Sequence, residues 1–206
     1  MDIVFVGYFT KGSLYEEYAR NLVQSLHQFN LHYRVVGVED LGSWDKNTQH
    51  KPTFLKQMLE RLDPAPLVYI DVDALVYQLP SLFEQLSKDP TVDIAAHILN
   101  HKKFGRQDIE SELLSGTLYL ANTDNTRQIV DQWIHVCQQA PKLWDQQALA
   151  QVLKANKYKG FRELPEQYCV IYDYMRTVVD PVIVHYQASR ICRTERPTIK
   201  GIKRPR

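Results

Sequence analysis

Cysteine, glycine and long apolar runs are all scarce in this chain of 206 residues, which has 3 cysteines and 8 glycines. Cys137, Cys169 and Cys192 are odd in number and widely spaced, which excludes both a disulfide framework and a zinc-ligand pattern. Apolar stretches such as residues 67–70 and 74–77 fall far short of the about 20 residues that cross a bilayer. The opening MDIVFVGYF lacks a positive n-region and a small-residue cleavage site, so it reads as a first strand and not a signal peptide. A soluble protein of a reducing, cytoplasmic compartment is therefore expected. No G-x-G-x-x-G follows that strand, and neither G-x-x-x-x-G-K-S/T nor G-x-S-x-G occurs anywhere. These absences exclude a dinucleotide fingerprint and a P-loop, and they count against an α/β-hydrolase.

What is present is an ordinary globular mixture, 44% hydrophobic and 24% charged, which excludes a disordered, collagen-like or coiled-coil chain. A chain of this length buries about 70% of its unfolded surface and needs no staple to fold. The net charge of +1 is unevenly spread. Residues 190–206 hold seven Lys or Arg against Glu195, a local +6, which leaves −5 for residues 1–189. Such a tail is either a solvated terminus or a contact for something anionic, nucleic acid or a lipid surface.

Hydrophobic periodicity outlines alternating strands and helices. Residues 2–9 are β-branched and aromatic and read as a strand, followed by a capping-box pattern at Ser13 and Glu16. Leu14, Tyr18, Leu22, Leu26 and Phe29 then recur at helical spacing. Residues 32–38 read as a second strand. Pro52 opens a helix striped by Phe54, Leu55, Met58, Leu59 and Leu62, and Pro64 and Pro66 stop it. A buried strand at 67–70 runs into Asp71-Val72-Asp73. Beyond it the spacing predicts a short helix at 80–87, strands at 92–97 and 113–121 (the latter broken at Ser115-Gly116), and helices capped by Asp124 and Asp145. Short strands at 161–164 and 182–187 complete the pattern. The expected fold is a three-layer, Rossmann-like α/β domain over residues 1–190, with a mixed, mainly parallel sheet and a basic tail at 191–206.

The strongest chemical signal is Asp71 with Asp73. Side chains two apart on a strand share a face, so both carboxylates are expected to converge at the strand's end, where open α/β sheets bind ligands. Two such carboxylates repel unless a cation lies between them. Oxygen donors of this kind suit Mg²⁺ or Mn²⁺, which take their remaining ligands from water and a diphosphate. Lys51, beside the N-terminus of the Pro52 helix, adds a candidate anion contact.

The runs at 51–55, 67–74 and 82–83, with Ser115-Gly116-Thr117, Trp144-Asp145-Gln146-Gln147, Leu164-Pro165 and the segment 184–190 in that order, resemble the nucleotide-diphospho-sugar glycosyltransferases of the GT-A fold. The resemblance spans roughly residues 2–190. It implies metal-dependent transfer of a sugar from a nucleoside diphosphate donor, most simply a UDP-sugar, with Mn²⁺ or Mg²⁺ as cofactor. It further implies His185 as a third metal ligand after Asp71 and Asp73. The nucleotide base is expected near Tyr8, Phe9 and Thr10, and the donor sugar near Ser115, Gly116 and Thr117. Asp145 and Gln146 are the implied catalytic or sugar-positioning pair. The family's usual Gly and Lys after the histidine are absent; Gln187, Ser189 and Arg190 stand there, and Arg190 is the expected substitute for phosphate contact. Nucleotidyl transfer, a donor-binding module without turnover, and a glycan- or lipid-linked acceptor are the competing readings. A hydroxymethylated base in DNA, met by the basic tail, is the acceptor to test first.

Overall fold

The computed structural model describes residues 2–155 and 158–188. Arg190 and the basic tail lie outside the described residues. Strand β1 (Val4–Thr10), helix α1 (Tyr15–Gln28) and β2 (His32–Val38) open the chain, followed by α2 (Trp44–Gln49) and α3 (Lys51–Arg61). Next come β3 (Leu67–Ile70), β4 (Ala74–Val76), α4 (Leu82–Leu86), β5 (Ile94–Leu99) and β6 (Glu112–Leu120). Then follow α5 (Asp124–Gln139), α6 (Asp145–Ala155), β7 (Phe161–Glu163), β8 (Val170–Ile171) and β9 (Ile183–His185).

Six strands form the main sheet in the order β2-β1-β3-β6-β5-β7. β6 is antiparallel to both its neighbours, while the other three pairings are parallel, so one strand in six is reversed. This is the mixed, mainly parallel sheet the pattern predicts.

Alternation along β3 explains the layers. Leu67 and Tyr69 pack under α3, α5 and α6, while Val68 and Ile70 face α1 and α4 on the opposite side. All four residues are buried, so neither face of this central strand meets water. Each helix supplies one apolar stripe: Leu22 and Leu26 on α1, Phe54, Leu55 and Leu59 on α3, Val130 and Trp133 on α5.

Several local readings need correction. Thr123 and not Asp124 caps α5, its hydroxyl accepting from the Thr126 amide at 3.2 Å. The capping box at Ser13 forms in part: the Ser13 hydroxyl accepts from the Tyr15 amide at 3.2 Å, while Glu16 accepts from the Gly12 amide at 2.6 Å and not from that of Ser13. Asp145 opens α6 but its carboxylate is turned into the protein, and Gln147 satisfies the Trp144 amide instead.

A second, three-stranded sheet, β4-β9-β8, matters most for the site. β4 runs antiparallel to β9 with Ala74 opposite His185, and β8 flanks β9 with Ile171 opposite His185. It sets a residue from the far end of the chain beside the acidic turn between β3 and β4.

Candidate active site

Strand geometry alone does not converge the two carboxylates. β3 ends at Ile70, and residues 71–74 form a turn in which the Ala74 amide donates to the Asp71 carbonyl at 3.0 Å. The Asp71 amide donates to the Gly116 carbonyl at 2.8 Å, so the turn is pinned to β6. Asp73 is held from the other side: its carbonyl accepts from the Tyr186 amide at 3.0 Å and its Oδ2 from the Ala188 amide at 2.9 Å. Convergence is thus a product of the turn and of β9.

β6 carries the second device. Ala96 of β5 lies opposite Leu118, but His97 lies opposite Leu114, so residues 115–117 have no partner in β5. Such a bulge re-aims side chains at the cost of local pairing. Here it presses Gly116 against the turn: a Cβ at this position would lie 2.9 Å from His185 Cε1 and 3.3 Å from Asp71 Oδ2. Only glycine leaves that space open.

Asp71, Asp73 and His185 each offer a ligand atom, all within 4.8 Å of one another. Two carboxylates and one imidazole suit a hard divalent cation such as Mn²⁺ or Mg²⁺, and the Gly116 cradle gives it room. His185 is presented through Nδ1, 3.8 Å from Asp73 Oδ1, because Nε2 is engaged by Thr117 Oγ1 at 2.8 Å. Burial disfavours a charged imidazole, yet Cys169 and Asp73 outweigh it and push the His185 pKa up to about 10. Burial in the cleft wall pushes the Asp71 carboxyl up, Lys51 pulls it back, and Asp73 adds to the rise. Both shifts report a spot where added positive charge is favoured. Gly116→Ala is expected to displace the imidazole, with a metal affinity lower by about tenfold or more and little change in Tm; calorimetric titration with Mn²⁺ measures it.

Thr117 therefore stands behind the histidine, fully buried, and does not line the cleft. The expected hydrogen bond from its hydroxyl to a donor sugar is replaced by orientation of His185.

Lys51 is also placed differently from expectation. Its Nζ lies 2.8 Å from Asp145 Oδ2, 2.9 Å from Ser115 Oγ and 3.3 Å from Asp71 Oδ1, with the Tyr69 ring 4.9 Å below. An ammonium has three hydrogens, and these partners occupy them, which leaves none for a phosphate. Burial alone would depress this lysine, but Asp145 and Asp71 hold its pKa far above the ordinary value. Ser115 donates to Asp145 Oδ2 at 2.7 Å, so its hydroxyl too is spent inside the protein. Tyr69 donates to Asp71 Oδ1 at 2.7 Å, its phenol kept protonated by burial and by Asp71. Asp145 is thus held in the cleft floor by Lys51 and Ser115. The Trp133 indole fixes the start of α6 by donating to the Asp145 carbonyl at 2.8 Å.

These groups line one cleft of about 530 Å³, the size of a nucleotide-sugar site. Tyr8, Phe9 and Thr10 form one end of it and Gln146 stands in its wall. Tyr8 is committed to packing: its ring sits against His50, Phe54 and Tyr69 and its hydroxyl donates to the Asn47 carbonyl at 2.6 Å. Sequence reasoning missed Trp44, Trp144, His101, Glu112 and Tyr174, which also line the cleft. Trp144, next to Asp145 in a quoted motif, carried a signal, and His101 lies in the stretch 97–109 that the sequence marks as a loop for the acceptor. Gln187, another wall residue, has φ 53, a left-handed conformation that glycine adopts freely and that costs other residues about 1 kcal/mol.

The sheet and its layers are those of the GT-A fold. The family model described as nucleotide-diphospho-sugar transferase matches residues 39–193, and the chain belongs to that family. Among solved structures, a glycosyltransferase involved in glycosylation of the major capsid of PBCV-1 has a TM-score of 0.69 at 12% identity, covering 91% of this chain and 93% of its own. The galactosyltransferase LgtC, in complex with donor and acceptor sugar analogues, has a TM-score of 0.54 at 15% identity, covering 91% and 87%. GlyE of Streptococcus pneumoniae TIGR4 has 0.62 at 16%, covering 90% of this chain and 54% of its own. At such identities the likeness speaks for the fold. No curated protein matches the sequence.

Proposed function

We propose that this chain transfers a sugar from a nucleoside diphosphate sugar, most simply a UDP-sugar, to a hydroxyl acceptor with the help of Mn²⁺ or Mg²⁺. The observation that carries this reading is the Asp71-Asp73-His185 group, set by the Gly116 bulge into the wall of a cleft of nucleotide-sugar size. A divalent cation held by these three residues supplies Lewis-acid stabilisation of the charge on the departing diphosphate. The chain's own groups do the rest. Thr117 and Asp73 fix the imidazole, Lys51 ties Asp71 to Asp145 across the cleft floor, and the walls around Tyr8 and Gln146 enclose the donor. In this reading Gln146, next to Asp145 in the cleft wall, meets the donor sugar or the acceptor.

A thermal-shift panel of UDP-, GDP- and CMP-sugars, each with and without Mn²⁺, tests the reading. Stabilisation by one nucleotide class only when Mn²⁺ is present supports it; no stabilisation by any member refutes it. In the same assay, slow hydrolysis of the stabilising donor separates an enzyme from a binding module.

Among the described residues no helix is long and apolar enough to cross a membrane; the cytoplasmic setting belongs to the proposal. The choice of hydroxymethylated DNA as acceptor rests solely on the +6 charge of residues 190–206. Deleting residues 194–206 is expected to abolish salt-dependent DNA binding while leaving donor hydrolysis intact. If the intact protein does not bind DNA even at low salt, this choice of acceptor is wrong.

A further inference from the structure

Four carboxylates line the cleft among the described residues: Asp71, Asp73, Glu112 and Asp145. Asp71 and Asp73 belong to the metal-fitting group, and Asp145 is bound by Lys51 and Ser115. Among the described residues, Glu112 has no lysine or arginine partner and no share in the metal group. Its Oε1 lies 3.2 Å from His101 Nε2 and its Oε2 lies 3.4 Å from the Gln146 amide nitrogen. The carboxylate is 40% exposed in the cleft wall.

His101 makes this a built feature. The residue is only 8% exposed, and its Nε2 is buried without a hydrogen bond among the described residues, because Glu112, though close, lies off the N–H direction. A buried polar atom left unpaired in a cleft wall costs free energy unless a ligand completes it. The other ring nitrogen, Nδ1, is held at 2.8 Å by the Tyr174 hydroxyl. The Tyr174 ring is itself packed between His101 and Phe104, at centroid distances of 5.6 and 5.7 Å. The imidazole is thus locked in orientation while its free nitrogen waits for a partner.

Position agrees with a role one sugar away from the metal group. Glu112 starts β6 and Gly116 touches His185 and Asp71 from the same strand. Glu112 is not in the metal-fitting group, and four strand residues span at most about 13 Å, near enough for it to meet a molecule lying against the donor sugar.

We infer that His101 and Glu112 form the acceptor subsite and that its ligand is a carbohydrate hydroxyl. This rests on the glycosyl-transfer reading above. With the Tyr174 hydroxyl donating to Nδ1, Nε2–H donates to the acceptor's oxygen and Glu112 accepts its hydrogen, so one hydroxyl satisfies both. The Gln146 amide, 3.4 Å from Glu112 Oε2, serves a neighbouring hydroxyl. Because Gln146 takes a second, neighbouring hydroxyl, the subsite matches the adjacent hydroxyls of a sugar ring better than the single exocyclic hydroxyl of a modified base. Glu112 contacts the acceptor; Tyr174 is a positioning residue acting through His101.

Saturation-transfer NMR on the intact protein with UDP and Mg²⁺ tests this. The probes are the methyl glycosides of glucose, galactose and N-acetylglucosamine, with 5-hydroxymethyl-2′-deoxycytidine as the competing class. At least one methyl glycoside is expected to bind. Glu112→Gln should weaken it by about tenfold or more, as loss of a hydrogen bond to a charged group does, with UDP affinity unchanged. Tyr174→Phe, which keeps the ring packing, should weaken the same glycoside with Tm and UDP affinity preserved. Unchanged glycoside affinity in Glu112→Gln overturns the inference. So does a wild-type protein that binds UDP but no glycoside, or that binds only the hydroxymethyl nucleoside. Absence of UDP binding refutes the glycosyl-transfer reading itself, and the subsite falls with it.

Discussion

Asp73→Asn should fold normally and lose Mn²⁺-dependent donor binding by more than about 100-fold, beyond the losses seen when only the surroundings of a metal ligand are disturbed. The two halves of this expectation have separate causes. Asparagine keeps an oxygen able to accept from the Ala188 amide, the bond that ties the acidic turn to β9. It also removes one of two neighbouring carboxylates, which relieves the repulsion that raises Asp71. Stability should therefore stay within about 1 kcal/mol of wild type. Affinity for a hard cation, by contrast, depends on charged oxygen, which the amide lacks. A variant that folds and still turns over donor at near-normal rate would show that the metal, if any, binds elsewhere.

Lys51→Met is expected to have its largest effect on stability. Methionine matches the aliphatic length of lysine but leaves Asp145 and Asp71 without their cation. The ammonium is 5% exposed and the Asp145 side chain 10%, so the stranded carboxylate has little water to turn to. Removing one partner of a buried ion pair costs about 3–5 kcal/mol. In chains of this size each kcal/mol lowers Tm by about 2–4 °C, so a fall of about 10 °C is expected in a thermal melt. Adding Asp145→Asn to Lys51→Met should recover part of the loss, because the uncompensated charge is then gone. A double-mutant cycle should return a coupling of about 0.5–3 kcal/mol. A Lys51→Met protein as stable as wild type would mean that the lysine is not the electrostatic centre of the cleft floor.

The helices and strands with strong hydrophobic periodicity were legible in the sequence: α1 through Leu22 and Leu26, α3 through Phe54 to Leu59, β3 through its run of four apolar residues. α2 was not, because it buries no residue and so has no apolar stripe. β4 and β8, of three and two residues, are too short for a period of two to register. In the site, the acidic pair and His185 were legible by their frame and by resemblance. The partnership of Lys51 with Ser115 and Asp145 was not, since residues 64 and 94 positions away meet Lys51 only through the sheet order. The same holds for His101, Glu112 and Tyr174, whose approach depends on where β6 and the segment after β8 come to lie. The β6 bulge was visible only as Ser115-Gly116, which marked an irregular strand without showing which way it would point.

The most direct measurement is calorimetric titration of UDP into the wild-type protein, once with Mn²⁺ and once with EDTA. The expected result is binding that tightens at least about tenfold with Mn²⁺, the signature of a diphosphate shared between the cleft and a cation on Asp71, Asp73 and His185. Equal affinity in the two titrations, or no binding in either, would contradict it.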